Sequence, residues 1–297
     1  MLNFVETFKM ALPPRWIYLL LLAFIWGSSF ILIKLGLQNL TPFQLGAFRI
    51  LCAGTFLLAI GFRTLPQIPR HKWKMVALTS LCGTFAPAFL FAMAQTQISS
   101  SVSSIMNSMT AIITLIVGAV MFKLNFRRNQ VLGVVLGFAG ALVLILSGAM
   151  HHPEQNYWYA LLALTGSLCY GVNINLIKTH LSEFPPLAIV SANFAVMILP
   201  ASAILGFSGF FSLEFNPAQL ESAGYVALLG LFGTGVANII FYRLIKSSTP
   251  VFAASVTYLI PVVAFLWGLL DGEQITFSQL IGASIVLAGV YLAGKKS

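Results

Sequence analysis

Three asparagines, Asn107, Asn173 and Asn238, sit in the middle of long apolar stretches of the chain. With them come Trp26, Tyr170, Tyr242 and Tyr258, rings that each end in a hydrogen-bonding group. Such side chains can hold a small polar molecule, but they do not break bonds. Catalysis needs nucleophilic or titratable groups within reach of one another, and no Asp, Glu or His falls at the centre of any apolar stretch. The pattern argues against protease, phosphatase and transferase chemistry and predicts that the protein is not an enzyme. Metal chemistry is no better supported. Cys52, Cys82 and Cys169 fall in three separate stretches without a Cys-x-x-Cys spacing, and His151-His152 has no further ligands beside it. No metal and no cofactor is expected.

The polar residues recur at helical spacing. Thr234, Asn238 and Tyr242 are four apart and share one helix face, and Tyr170 and Asn173 are three apart on another. Ser104, Asn107, Ser108 and Thr110 form the densest polar cluster, Thr257 and Tyr258 precede Pro261, and Trp26 and Ser29 lie in the first apolar stretch. Polar side chains are costly in hydrocarbon, so they tend to face a bundle interior or a wet cavity. The competing reading is that hydroxyls and amides bond between helices or back to their own backbone. It applies more readily to a lone Ser or Thr than to an Asn, whose amide has four hydrogen-bonding valences to satisfy.

The elements that position these residues are membrane-spanning. Hydrophobic residues make up 59% of the 297, charged residues only 8%, and mean hydropathy is +0.93, whereas a soluble domain carries roughly 25% charged residues. Stretches near the ~20 residues that a helix needs to cross hydrocarbon fall at 17-37, 43-62, 75-95, 101-121, 129-148, 157-178, 187-207, 223-243, 251-270 and 277-294. The expected fold is an all-α polytopic membrane protein with ten transmembrane helices. A formal charge of +9 raises the possibility of nucleic acid, but the placement of the cations excludes it: 14 of the 16 Lys and Arg lie at one set of alternating span ends. The opposite loops hold none and carry five of the seven acids. By the positive-inside rule both termini are cytoplasmic. The other two cations, Lys34 and Arg49, lie inside spans.

The chain also says nearly the same thing twice. Residues 76-84 and 226-234 share six identities in nine at an offset of 150. Trp26-Gly27, Lys34 and Pro42 recur at 144 as Tyr170-Gly171, Lys178 and Pro186, which makes Ser29 the mate of Asn173. Five hydrophobic segments per copy force the second copy to enter the membrane from the opposite side, giving two inverted five-helix repeats, 1-148 and 157-297, joined by an exterior linker at 149-156. That arrangement belongs above all to transporters. Lys34 and Lys178 become candidate charges at the outer and inner mouths, attracting a substrate carboxylate. The alternative for Lys34 and Arg49 is to snorkel to headgroups or to pair with Asp271 and Glu273. Gly133, Gly137 and Gly140 in the fifth span, with Gly282, Ala283 and Gly289 in the tenth, fit close helix contact and read as scaffold. Residues 1-12 read as a short amphipathic helix on the inner surface.

Trp26-Gly27-Ser28-Ser29-Phe30, followed by Lys34, Pro42 and Arg49, resembles the opening of the EamA domain of the drug/metabolite transporter superfamily. Asn238 to Glu273 is similar to that family's most recognisable stretch, in which a small-residue helix leads into Pro261 and the pair Gly272-Glu273 closes the next helix. The first repeat departs from it, with Ala111 where the second has Pro261 and Met121-Phe122-Lys123 in place of Asp271-Gly272-Glu273. The resemblance covers nearly the whole chain as two repeats. It implies a central cavity lined by helices 1, 3, 4, 6, 8 and 9, and export of small metabolites, amino acids or related compounds from a bacterial cytoplasm. The expected function is therefore an inner-membrane exporter working by alternating access, with multidrug efflux, an uptake permease or a channel as alternatives. Its expected partners are a small-molecule substrate and membrane lipid, not nucleic acid, and its expected state is a monomer. With no carboxylate or His at membrane depth, facilitated diffusion or exchange is expected rather than proton coupling.

Overall fold

The computed structural model describes residues 13–98, 100–149, 156–213, 216–270 and 277–294. It is 87% helix, and no strand occurs among the described residues. In hydrocarbon every backbone N–H and C=O must be satisfied within the protein, and a helix does this within one segment. The rods in chain order are α1 (Pro14–Gly36), α2 (Pro42–Gly61), α3 (Arg70–Ala94), α4 (Ser100–Val120) and α5 (Arg128–Ala149). There follow α6 (Ala160–Leu181), α7 (Pro186–Phe207) and α8 (Pro217–Ser247), then α9 in two pieces (Pro250–Ala254 and Val256–Leu270), and α10 (Phe277–Gly294).

The sequence marks several of these starts. Proline opens α1, α2, α7, α8 and α9, where its missing N–H would have had no helical partner. Thr41 with Gln44, and Asn216 with Gln219, form reciprocal capping boxes at the heads of α2 and α8. Among the described residues, six helices are long and apolar enough to cross a membrane: α1, Pro42–Gln67, α3, α6, α7 and α8. Shorter apolar helices run Met106–Val120, Pro250–Val263 and Leu280–Ala293. The protein is a multi-pass membrane protein, and large exposed side chains such as Phe24, Leu199 and Phe207 are the surface expected to face lipid. The expectations that fall on residues 1–12, His151, His152, Glu154, Asp271 and Glu273 lie outside the described residues.

The packing is reciprocal. α1 lies on α9 while α6 lies on α4; α2 lies on α8 while α7 lies on α3; α3 meets α6 while α8 meets α1. α2 pairs with α7, and α5 with α10. Exchanging each helix for its mate in the other half leaves this set of neighbours unchanged. The α5–α10 contact is backbone on backbone. A Cβ on Gly133 would lie 2.5 Å from the Ala293 nitrogen, and one on Gly140 2.6 Å from the Val286 nitrogen. Tyr258 ties α9 to this pair, its ring over Gly137 and its hydroxyl donating to the Val134 carbonyl at 2.9 Å. Among the described residues, three helices contain a π-turn: α3 at Leu81–Phe85, α6 at Ile177–Leu181 and α8 at Leu229–Val236. The first and third fall on the repeated nonapeptide.

Candidate functional site: a central cavity

The π-turn in α8 has a local consequence. The Ala237 amide donates to Phe232 five residues back and so passes over the Gly233 carbonyl, which Trp26 Nε1 of α1 takes instead at 3.0 Å. Glycine at 233 makes the approach possible, since a Cβ there would lie 2.7 Å from the Ser29 hydroxyl. In α3 the position equivalent to Ala237 is Pro87, which has no N–H to give Gly83. Both halves thus perturb the helical ladder at the same Gly-Thr pair, Gly83-Thr84 and Gly233-Thr234. Single π-turns inside α-helices frequently fall at functional sites.

Around these two turns lies a cavity of about 80 Å³, walled by α1, α2, α3, α4, α6, α8 and α9. One ordered water needs on the order of 10–15 Å³ by the same kind of measure, so there is room for a water cluster or a small solute. Its described lining comes largely in mated pairs. At an offset of 144 Trp26 pairs with Tyr170 and Phe30 with Ile174. At 150 the pairs are Gly83 with Gly233, Thr84 with Thr234, Phe91 with Phe241, Asn107 with Thr257 and Thr110 with Ile260. The rings repeat the symmetry: Trp26 meets Phe241 edge-on at 4.9 Å, and their mates Tyr170 and Phe91 stack at 5.8 Å. Ser29, Ile33, Arg49 and Asn238 complete the wall without a mate in it.

Of the residues singled out in the sequence, Trp26, Ser29, Asn107, Tyr170, Thr234 and Asn238 reach the wall. The others are engaged elsewhere. Ser108 donates to the Ser104 and Thr257 carbonyls at 3.0 and 3.2 Å, so it joins α4 to α9; Ser104 is buried beside it. Asn173 packs its amide against Gly83. Tyr242 accepts from Asn193 Nδ2 at 2.7 Å, and Tyr258 is the α9–α5 tie already described. Lys34 is exposed. Lys178 does not stand at an open mouth: its ammonium caps the end of α8 through the Ile245, Lys246 and Ser248 carbonyls at 3.0, 3.3 and 2.6 Å.

Arg49 is the charged residue of the described wall, and the sequence reading did not select it as a site residue. It is not snorkelling: its Nε donates to Thr234 Oγ1 at 2.5 Å, and the side chain lines the cavity. α2 comes close enough for this because position 230 of the π-turn is glycine; a Cβ there would lie 2.8 Å from the Arg49 carbonyl and 2.7 Å from Cys52 Cβ. An ionisable side chain at membrane depth is by default a functional candidate, and that signal was available in the sequence.

The EamA-like transporter family matches the chain twice, over residues 15–146 and 157–294. The chain belongs to this family. Members of the EamA-like family are membrane transporters of the drug/metabolite superfamily, not enzymes. The chain is 26% identical over 294 residues to the "Uncharacterized inner membrane transporter YedA" of Escherichia coli (strain K12), covering 95% of this chain and 90% of that one. It is 27% identical over 280 residues to the "Probable amino-acid metabolite efflux pump" of Salmonella typhimurium (strain LT2), covering 92% of each. A crystal structure of another protein shares the fold with a TM-score of 0.69 at 18% identity, over 93% of this chain and 95% of that one.

Proposed function

We propose that this EamA-like transporter is an inner-membrane exporter of small polar metabolites such as amino acids, with ten spans arranged as two inverted five-helix repeats that rock around the central cavity. The observation that carries the reading is the cavity wall, where most lining residues are mated across the two halves. A site built equally from two inverted copies suits alternation between openings to either side. Amides, hydroxyls and ring faces at the wall suit a zwitterion or neutral polar solute. The charge asymmetry of the loops supports cytoplasmic termini.

The test is flux into proteoliposomes of the purified protein, using radiolabelled amino acids with and without unlabelled competitor. Saturable, competable flux is expected, and linear, non-competable flux would replace the carrier with a channel. For orientation, single cysteines at Gln67 and Gln38, both exposed, are introduced after replacing Cys52, Cys82 and Cys169. An impermeant maleimide on intact cells should label position 38 and spare 67.

A further inference from the structure

We infer that Arg49 is the anchor for a single carboxylate on the transported solute. The inference rests on the cavity being the transport site proposed above, and it begins from an imbalance of charge. Arg49 lies seven residues after the first residue of α2, roughly 10 Å along the helix at ~1.5 Å per residue. A cation held that deep without a counter-ion is strongly disfavoured. Yet no Asp or Glu lines the cavity among the described residues. The ion pair found among them, Lys72–Glu183 at 2.9 Å, is made by other residues at the end of α3 where that helix begins.

Among the described residues, the one side-chain hydrogen bond of Arg49 goes to Thr234. The Thr234 hydroxyl gives its own proton to the Leu229 carbonyl at 3.2 Å, so its oxygen is left to accept Nε–H. A guanidinium has five N–H donors, and this contact uses one and fixes the plane of the fork. The other four remain for a ligand in the cavity that Arg49 lines. Two parallel N–H groups match the two oxygens of a carboxylate. One arginine neutralises one negative charge, so a monocarboxylate leaves the site balanced, while a phosphate dianion would leave a net charge in a low-dielectric wall.

The rest of the wall fits the remainder of such a solute. The ring pairs Trp26–Phe241 and Tyr170–Phe91 offer faces for an ammonium or an apolar side chain. Asn107 and Thr110 offer polar atoms, and the Thr110 hydroxyl is buried without a partner among the described residues.

The experiment measures binding to the purified protein by shift of melting temperature, with three matched probe pairs: L-leucine and its amide, L-threonine and its amide, L-phenylalanine and its amide, with inorganic phosphate as a further arm. At least one acid should bind about ten- to a hundredfold more tightly than its amide, the range expected for hydrogen bonds to an ionised group, and phosphate should not bind. Arg49→Gln should erase the difference between acid and amide. Arg49→Lys should keep part of it, because the charge remains and the fork does not. Thr234→Val, which frees the fork, should reduce it several-fold and decides the matter if Arg49→Gln does not fold. Equal binding of acid and amide, no binding by any acid, a preference unchanged in the variants, or tighter binding of phosphate would each overturn the anchor. Binding that follows this pattern without flux in vesicles would instead remove the carrier reading and leave the carboxylate site. Competable flux that ignores the carboxylate would do the reverse.

Discussion

Arg49 in α2 and Asn193 in α7 stand at corresponding positions of the two copies, 144 apart, and they do opposite things. Arg49 reaches into the cavity and touches Thr234 of the other half. Asn193 is buried and turned to structure: its oxygen accepts from Thr79 at 3.1 Å, its amide donates to Tyr242 at 2.7 Å, and its own carbonyl accepts from Ser80 at 3.1 Å. One copy supplies the charge and the other a clamp joining α7 to α3 and α8. Two mated arginines would have set like charges on opposite sides of a small cavity. The rings, glycines and threonines tolerate duplication because they carry no net charge, and so the copies remain alike there and differ here.

The largest expected effect comes from restoring the symmetry. Asn193→Arg buries an unpaired cation beside Thr79 and Tyr242, a change of the kind that costs about 3–5 kcal/mol, so folded protein should be lost from the monodisperse peak in size-exclusion chromatography. A well-folded Asn193→Arg protein would show that the clamp is dispensable. Asn193→Ala should be milder. It removes the bonds to Thr79 and Tyr242, at about 0.5–1.5 kcal/mol each, although Thr79 keeps the Val76 carbonyl at 3.0 Å, and should lower the melting temperature while leaving the acid-over-amide preference intact. Arg49→Gln should invert that outcome, holding or raising the melting temperature, because a lone buried cation is removed, while selectivity collapses. If the two variants lose stability and selectivity in the same proportion, the division of labour between the copies fails.

How much of this was legible in the sequence depends on what each feature required. The helices were readable because hydrocarbon permits little else, and the reading at 157-178 and 223-243 differs from α6 and α8 only at their ends. Rotation about a helix axis was harder. Trp26, Tyr170, Thr234 and Asn238 reach the wall at the spacing their sequence implies, but Tyr242 lies one turn beyond Asn238 and meets Asn193 instead. Ser108 and Tyr258 illustrate a second difficulty: their partners are backbone carbonyls in α9 and α5, and every residue has such a carbonyl, so sequence cannot single one out. Arg49 was hidden differently. Its depth was plain, but the direction of its side chain depends on the glycine at 230 in another helix and on a π-turn that hydropathy does not reveal.

The smallest effect concerns a second mated pair, Lys178 and Lys34. Lys178 holds the end of α8 by three carbonyls, in a region where Lys72 also bonds the His180 carbonyl and Lys246 the Phe184 carbonyl. A cation at a helix C-terminus stabilises by about 0.3–1 kcal/mol, and more where partly buried. At the opposite end the ties are neutral, Asn39 to Ser222 at 3.0 Å and Gln44 to the Ser208 carbonyl at 3.0 Å, and Lys34 is exposed. The carbonyls corresponding to those held by Lys178 belong to Gln95, Thr96 and Ile98 at the end of α3. If the halves exchange roles when the cavity opens to the other side, Lys34 takes up those carbonyls as Lys178 lets go. Lys178→Gln should then shift the population several-fold toward the exchanged state, and Lys34→Gln should shift it the other way. The measurement is disulfide formation between cysteines placed at Gln38 and Thr96, both exposed, which leaves Lys34 in place, in a background without the native cysteines: slow with Lys178 present, faster with Lys178→Gln, and slower again with Lys34→Gln. A cross-linking rate indifferent to residue 178 would mean that the two lysines are not alternating latches, and that Lys178 is a fixed cap on α8.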